Sequence, residues 1–287
     1  KNKADHLTAL ECLFAQLTKM RLTISVNKCF LGRKQVHILG STVSGHEIHV
    51  QKQRIRALQE IVPPRSIHEL RGWIGGLRYL SSHIPDLSLI LANFDSLTGN
   101  IPASKSKITP VLWTNQLVDD YCKAQKAFVN PSRLYHIKPD LPLFVETDAS
   151  TIGFGGVLFQ TEIGKQPPLA SKDEVYPIAY FSHKWDSDAQ QNYNACTKEL
   201  RALRDCIMKW SSYLLGVPFT IITDNKGVFG LIKKAAEKSA PPCKNILHKR
   251  WLNDICLHNV TRVIHLTTDQ VFTSDSLSRS VWMEMAA

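Results

Sequence analysis

From residue 141 onward the sequence alternates between a two-residue apolar period and one of roughly 3.6 residues. That order of segments admits few folds other than a mixed α/β layer structure. Leu143-Phe-Val-Glu-Thr147 reads as a strand; Gly153, Gly155 and Gly156 surround a second at Val157-Leu-Phe159, and Pro177-Ile-Ala-Tyr-Phe181 is a third. Asn194 to Leu214 reads as one long helix, because Leu200, Leu203, Ile207, Trp210 and Leu214 fall on one face. Phe219-Thr-Ile-Ile-Thr223 is a fourth strand, helices follow at Lys226–Lys234 and Asn245–Asp254, and Val260 to Leu266 is a fifth strand. Ser274 to Ser280 starts a last helix. The expected architecture for 141–287 is therefore α/β, a mixed five-stranded sheet with flanking helices.

Upstream the pattern is different. Residues 5–20 carry Leu7, Leu10, Leu13 and Leu17 at helical spacing, and Leu22-Thr-Ile-Ser-Val26 alternates like a strand. Val36-His-Ile-Leu39, a turn at Ser44-Gly45 and Ile48-His-Val50 read as a β-hairpin. Gln51 to Ile61 is expected to be helical and to stop at Pro63-Pro64, since proline lacks the amide hydrogen and restricts the residue before it. Ser66-Ile-His-Glu69 has the form of a capping box. It opens a helix with Leu70, Ile74, Leu77 and Leu80 along one side, and Leu87 to Leu97 reads as a further short helix. Residues 99–110 are polar and broken by prolines, as in a linker, and a short helix spans Gln116 to Phe128. The expected divisions are 1–50, 51–98, 99–140 and 141–287.

Composition narrows the class. Apolar residues make up 44% of 287, enough for a sizeable core. The net charge of +10 suits a polyanionic partner such as nucleic acid, or equally a basic solvated surface. The seven cysteines are odd in number and none is spaced as C-x-x-C, which argues for free thiols in a reducing compartment rather than a disulfide framework or zinc ribbon. No apolar run approaches the roughly 18 residues needed to span a bilayer. The chain opens on Lys1 within helix-like sequence and reads as a piece of something longer. Its expected location is intracellular, in a cytoplasmic particle or the nucleus, with no membrane partner.

Four acids fall at element ends: Asp148 closes the first strand, Asp224 the fourth, Glu199 lies in the first turns of the long helix, and Asp275 opens the last one. Strand ends and helix starts of an α/β sheet gather around one rim. A single acid at such a place is most often a cap or a solvent-facing charge. Four at matching ends are better explained as one cluster, which needs cations to stay ionised. Mg²⁺ takes oxygen ligands and keeps some water. Two such ions about 4 Å apart activate a water and stabilise a leaving oxygen in phosphodiester hydrolysis.

Glu146-Thr-Asp-Ala-Ser150, Gly153-Phe-Gly-Gly-Val-Leu158, Pro177-Ile-Ala-Tyr-Phe-Ser182 and Tyr193-Asn-Ala-Cys-Thr-Lys-Glu-Leu200, with Tyr213-Leu-Leu-Gly216, Phe219-Thr-Ile-Ile-Thr-Asp-Asn-Lys226 and Ser274-Asp-Ser-Leu-Ser-Arg279, resemble the ribonuclease H domain of gypsy-type LTR retrotransposon polyproteins. Upstream, Asn27-Lys-Cys-Phe30, Leu39-Gly40 and Ile48 resemble the palm end and primer-grip hairpin of a reverse transcriptase. Pro64, Glu69-Leu-Arg71, Gly75-Gly76, Tyr79 and Ile84-Pro-Asp86 resemble the helical thumb, and Trp113-Thr114 with Ala127-Phe128 the connection. The resemblance implies a ribonuclease H-like domain behind a small helical thumb and a β-hairpin palm remnant. It implies an endonuclease for the RNA strand of RNA–DNA hybrids, with Asp148, Glu199, Asp224 and Asp275 as catalytic, metal-binding residues. The implied cofactors are two Mg²⁺ ions, with Mn²⁺ as a substitute. The implied partners are an RNA–DNA hybrid and template–primer nucleic acid, with self-association or association with other polyprotein parts.

Two departures matter. The polymerase signature Tyr-x-Asp-Asp is absent, so the chain as given is not expected to polymerise. The loop His265-Leu-Thr-Thr-Asp-Gln-Val-Phe-Thr-Ser274 lacks the family's Pro-Gly and basic residues, and His265 is read as structural rather than as the mobile-loop histidine of other ribonucleases H. Candidate nucleic-acid contacts are Ser150, Thr197, Thr223 and Asn225, with Arg71, Arg78 and Trp73 in the thumb; each residue type is also an ordinary cap, turn or core residue. Lys233, Lys234, Lys238, Lys244, Lys249 and Arg250 form a basic stretch, either a phosphate track or a solvated face. The rival functions are a catalytically inactive hybrid-binding or structural remnant, and a transposase- or integrase-like enzyme. The latter usually has three acids with the glutamate last, whereas here the glutamate comes second.

Overall fold

The computed structural model describes residues 2–129, 131–169, 174–236, 245–267 and 270. The chain splits into two compact units, Lys1–Val36 and His37–Ala287. In the first, α1 (Lys3–Lys19) is closed at its start by a full capping box, with Asn2 and Asp5 accepting each other's backbone N–H. None of its residues is buried. Leu22–Val26 forms no strand, contrary to expectation, and leads into a single 3₁₀ turn at Val26–Lys28. Alternation alone does not make a strand where no neighbouring ladder takes up its backbone groups.

A small sheet runs in the order β1-β2-β3-β4, from β1 (Gln35–Ile38), β2 (Ser41–Ser44), β3 (Glu47–Val50) and β4 (Leu134–Tyr135). The hairpin turns at Ser44 as expected, where the Ser44 hydroxyl accepts from Glu47 N at 3.1 Å, but its first arm is β2 rather than 36–39. The helical part comprises α2 (Lys52–Gln59), α3 (Ile67–Arg78), α4 (Leu87–Ile90), α5 (Ala92–Gly99) and α6 (Asn115–Val129). The single helix expected over Leu87–Leu97 is two, broken at Leu91. Half of the α3 capping box forms: Ser66 Oγ accepts from Glu69 N, while Glu69 reaches Arg65 N instead of Ser66 N. Residues 99–110 are not a free tether; Thr109 and Ser106 carbonyls accept from Ile67 N and His68 N. One apolar core runs from Val50 through α3 and α5 to Phe128 of α6. Trp73 lies inside it, stacked on Tyr121 and edge-on to Phe94, which removes it as a nucleic-acid contact. Each such ring pair adds about 0.5–1.5 kcal/mol beyond burial.

The five-stranded sheet has the order β7-β6-β5-β8-β9, built from β5 (Leu143–Ala149), β6 (Gly153–Gln160), β7 (Tyr176–Lys184), β8 (Phe219–Thr223) and β9 (Val260–His265). β5, β6 and β7 are antiparallel neighbours; β8 is parallel to both β5 and β9, so the sheet is mixed as expected. After α7 (Asp188–Gln191) come α8 (Ala195–Lys209) and α9 (Ser211–Leu214), which divide the expected long helix at Trp210, and then α10 (Lys226–Ala236) and α11 (Ile246–Cys256). α8 packs its Leu200, Leu203, Cys206 and Ile207 on one face of the sheet, with Val228, Ile232, Trp251 and Ile255 completing that core. The other face carries a smaller cluster of Phe144, Val157, Phe159, Ile222 and Leu266. Among the described residues no helix is long and apolar enough to cross a membrane, and six cysteines are free thiols. The expected helix at 274–280 lies outside the described residues.

Candidate functional site

The register of the parallel pair β5–β8 decides the geometry. Val145 lies beside Ile221 and Glu146 beside Ile222, so two residues further on Asp148 stands beside Asp224. Asp148 is also the ladder partner of Gly155 on β6. α8 starts at this end of the sheet because Asn194 caps it, its side chain accepting from Thr197 N at 2.8 Å. That places Glu199 in its early turns with 7% exposure. Glu199 Oε1 accepts from Ala149 N at 3.0 Å, which ties the glutamate to the end of β5. Its Oε2 is buried and has no hydrogen-bond partner among the described residues. Burial first, then the charges of Asp148 and Asp224, push the Glu199 carboxyl well above the usual range, against the opposing pull of the Ala149 amide. Three of the four expected acids therefore converge; Asp275 lies outside the described residues.

Asp224 is held from several sides. Thr223 Oγ1 accepts from Asn225 N at 3.1 Å, and Asn225 Oδ1 accepts from Gly227 N and Val228 N at 2.9 and 3.1 Å, opening α10. Leu266 N donates to Thr223 O, and the His265 ring donates from Nε2 to Asp224 O at 3.0 Å. A carbonyl only accepts, so Nε2 carries the hydrogen. His265 also meets Phe229 edge-on. It is structural, as expected, and what it structures is the loop bearing a candidate site acid.

The candidate nucleic-acid residues are spread out. Ser150 is exposed and closes a turn on Gly153, while Thr197 is buried with its hydroxyl 2.9 Å from His248 Nε2. Thr223 is buried, and Asn225 spends its Oδ1 on capping. Arg71 is half-buried and donates to the carbonyls of Thr98 (2.7 Å) and Ile101, tying α3 to the end of α5. Arg78 pairs with Asp95 at 2.8 Å on the exposed side of α3. Lys233, Lys234, Lys249 and Arg250 are exposed; Lys238 and Lys244 lie outside the described residues.

One acid at this rim was missed by sequence reasoning. Asp86 precedes α4 with φ 52° and ψ 21°, and Asp148 acts on its charge. In sequence it looks like a helix cap behind a proline, yet its side chain makes no capping bond. The available signal was on the other partner: glycines inside a strand mark places where something approaches closely.

The donors here suit a hard divalent cation: they are all carboxylate oxygens, and one is buried without a partner. Among the described residues no three His, Cys, Asp or Glu side chains close around one point as a metal cage. Mg²⁺ is commonly held by one or two carboxylates, water and substrate phosphate, and needs no such cage.

Residues 113–221 match the family described as RNase H-like domain found in reverse transcriptase. The match includes Asp148 and Glu199 and ends short of Asp224. Transposon Tf2-3 and Tf2-4 polyproteins of Schizosaccharomyces pombe are each 27% identical over 239 residues, covering 83% of this chain; the chain spans 17% of their length. Among solved structures, the foamy viral protease-reverse transcriptase in complex with RNA/DNA hybrid superposes with a TM-score of 0.69 at 20% identity, over 94% of this chain and 34% of that one. Its dRH form in complex with ds DNA gives 0.68 at 20% identity, over 94% and 44%. These likenesses show a reverse transcriptase and ribonuclease H-like fold in a chain similar to part of a retrotransposon polyprotein.

Proposed function

We propose, from the premise that residues 113–221 carry an RNase H-like domain of the kind found in reverse transcriptase, that the chain cuts the RNA strand of RNA–DNA hybrids by divalent-cation-dependent hydrolysis. It does so as the C-terminal part of a retroelement reverse transcriptase. The observation that carries this reading is Glu199, whose buried, unpartnered Oε2 lies under the field of Asp148 and Asp224. A structural glutamate with that environment is a cost without a return; a cation ligand is not. Solved complexes with RNA/DNA hybrid and dsDNA in the foamy viral relatives support a nucleic-acid substrate.

In this reading Asp148, Glu199, Asp224 and Asp275 hold two Mg²⁺ ions, or Mn²⁺ in their place. Cations so held supply the polarisation of the attacking water and the neutralisation of the leaving oxygen. The chain's own work is positioning. The Ala149 amide fixes Glu199 Oε1 and leaves Oε2 as the donor, and His265 and Asn225 fix the Asp224 turn. Asn225 retains its amide N–H groups, and Ser150 its exposed position, for the hybrid's backbone. Residues 51–98 act as thumb and 99–140 as connection.

A hybrid-binding remnant without catalysis is the second reading, and the absence of a three-donor metal group among the described residues favours it. Cleavage of a labelled RNA–DNA hybrid with Mg²⁺ or Mn²⁺ separates the two. The nuclease reading expects the RNA strand to be cut by the wild type and not by Asp224→Asn. Binding without cutting supports the remnant, and cutting untouched by the substitution removes Asp224 from the site.

A further inference from the structure

The helical part touches the five-stranded sheet at the Asp148 end. Ser88 N donates to Ser182 Oγ at 2.9 Å and Ser88 Oγ to Ser182 O at 2.7 Å, pinning the start of α4 to β7. Lys184 at the end of β7 reaches back to Ser96 Oγ on α5 at 2.6 Å. Between these ties the bare backbone of β6 is filled from α4. A Cβ on Gly153 would run into Leu89, and one on Gly155 into Oδ1 of Asp86. Gly155 is the ladder partner of Asp148, so the Asp86 carboxylate sits over the strand position next to that acid. A cavity of about 180 Å³ opens there, lined among others by Asp86, Asp148, Ser150, Gly155 and Tyr180.

Among the described residues no hydrogen bond or ion pair reaches this carboxylate. Burial and Asp148 both disfavour its ionised form and push its pKa up to about 6. Two acids thus face one small cavity, and the charge of Asp148 also acts on Glu199, whose buried Oε2 has no partner among the described residues. Apolar packing does not call for that arrangement, and a leucine or asparagine at 86 would fill the gap at lower electrostatic cost.

We propose that Asp86 is a further carboxylate of the candidate nuclease site, delivered by the helical module, and that a divalent cation at the Asp148 end both uses it and clamps that module to the sheet. This rests on the cation-dependent reading above. Cation binding and module docking are then thermodynamically linked, because docking brings Asp86 against Asp148 and a cation there relieves that repulsion.

The test uses the whole chain and Mn²⁺ alone, with affinity measured by titration calorimetry and the unfolding midpoint measured in EDTA and in Mn²⁺. Asp86→Asn is expected to weaken Mn²⁺ binding about tenfold, to raise the midpoint in EDTA, and to shrink the gain that Mn²⁺ brings. Gly155→Ala keeps every charge but displaces the Asp86 carboxylate, and is expected to weaken Mn²⁺ binding in the same direction. Asp148→Asn serves as the reference. If it abolishes Mn²⁺ binding while Asp86→Asn and Gly155→Ala leave affinity and the Mn²⁺-induced shift unchanged, the role of Asp86 is overturned and the cation site stands. If Asp148→Asn itself leaves Mn²⁺ binding unchanged, the cation site fails and the role of Asp86 falls with it.

Discussion

Asp148 and Asp224 stand side by side at the ends of neighbouring parallel strands, yet the two ends of the site are built differently. The Asp224 end is self-sufficient. Its turn is fixed by Thr223, Asn225 and His265, all within a short stretch of β8, the start of α10 and the end of β9. The Asp148 end leans on another module. Its neighbouring strand is stripped to glycine at 153 and 155, and the space is occupied by Leu89 and Asp86 from the far side of the chain. One end is stiffened by hydrogen bonds of neutral groups, the other holds a like-charge contact. The same residue type at equivalent strand positions therefore has opposite dependence on the rest of the protein.

The harshest way to break this contrast is to fill β6. An added Cβ on Gly153 meets the carbonyl of His183 and Cα of Lys184 as well as Leu89, and two of these are backbone that cannot swing aside. Gly153→Ala is expected to cost about 3 kcal/mol or more in denaturant unfolding, and Gly155→Ala, which meets a movable side chain, less. Equal costs would mean that the module does not press on the strand as described.

Next in size is the Asp224 end. His265→Leu removes the donor to Asp224 O and leaves a half-buried carbonyl without its partner, an expected loss of about 1–3 kcal/mol. Hybrid cleavage should fall in parallel, by about tenfold or more, and His265→Gln should restore part of both. Ser88→Ala tests the Asp148 end with a gentler cut. It removes the hydroxyl bond to Ser182 O and leaves the Ser88 N–H bond to Ser182 Oγ in place, and about 0.5–1.5 kcal/mol is expected to go with it. A loss of cleavage from His265→Leu with none from Ser88→Ala would confine the site to its own domain.

The smallest effect is a pH dependence on the helical side. His83 is buried, its Nδ1 lies 2.9 Å from Ser132 O, and burial lowers its pKa from 6.5. The unfolded chain then binds a proton that folded His83 resists. The stability it contributes is full above pH 6.5 and is lost as the pH falls through the lowered folded value. Unfolding free energy measured at pH 7.5 and 5.5 should drop more for the wild type than for His83→Gln.

The contrast also marks what the sequence could carry. β8 occupies the residues its apolar run predicts, and Asp148, Glu199 and Asp224 lie at element ends as their positions suggest. These are local matters of periodicity and capping. The break of the long helix at Trp210, the division of 87–97 at Leu91 and the missing strand at 22–26 are tertiary outcomes that override local pattern. Arg71 and Trp73 resemble nucleic-acid contacts in sequence because charge and aromaticity say nothing of facing direction; one is spent on the carbonyls of Thr98 and Ile101 and the other on the core. Asp86 was invisible for a different reason. Its partner is Asp148, and nothing in either segment alone announces a meeting across so many residues; the run of glycines in β6 was the one trace of it.

In the proposed reading the acids of this rim are kept for chemistry at a cost in stability, and Glu199→Gln separates the two. The substitution preserves the shape and the acceptor for Ala149 N while removing the buried charge. Cutting of a hybrid labelled on its RNA strand, in Mg²⁺, is measured beside the unfolding midpoint in EDTA. Cleavage is expected to be lost while the midpoint rises. Undiminished cleavage, or a midpoint that falls as it would for a residue kept for folding, would contradict that reading.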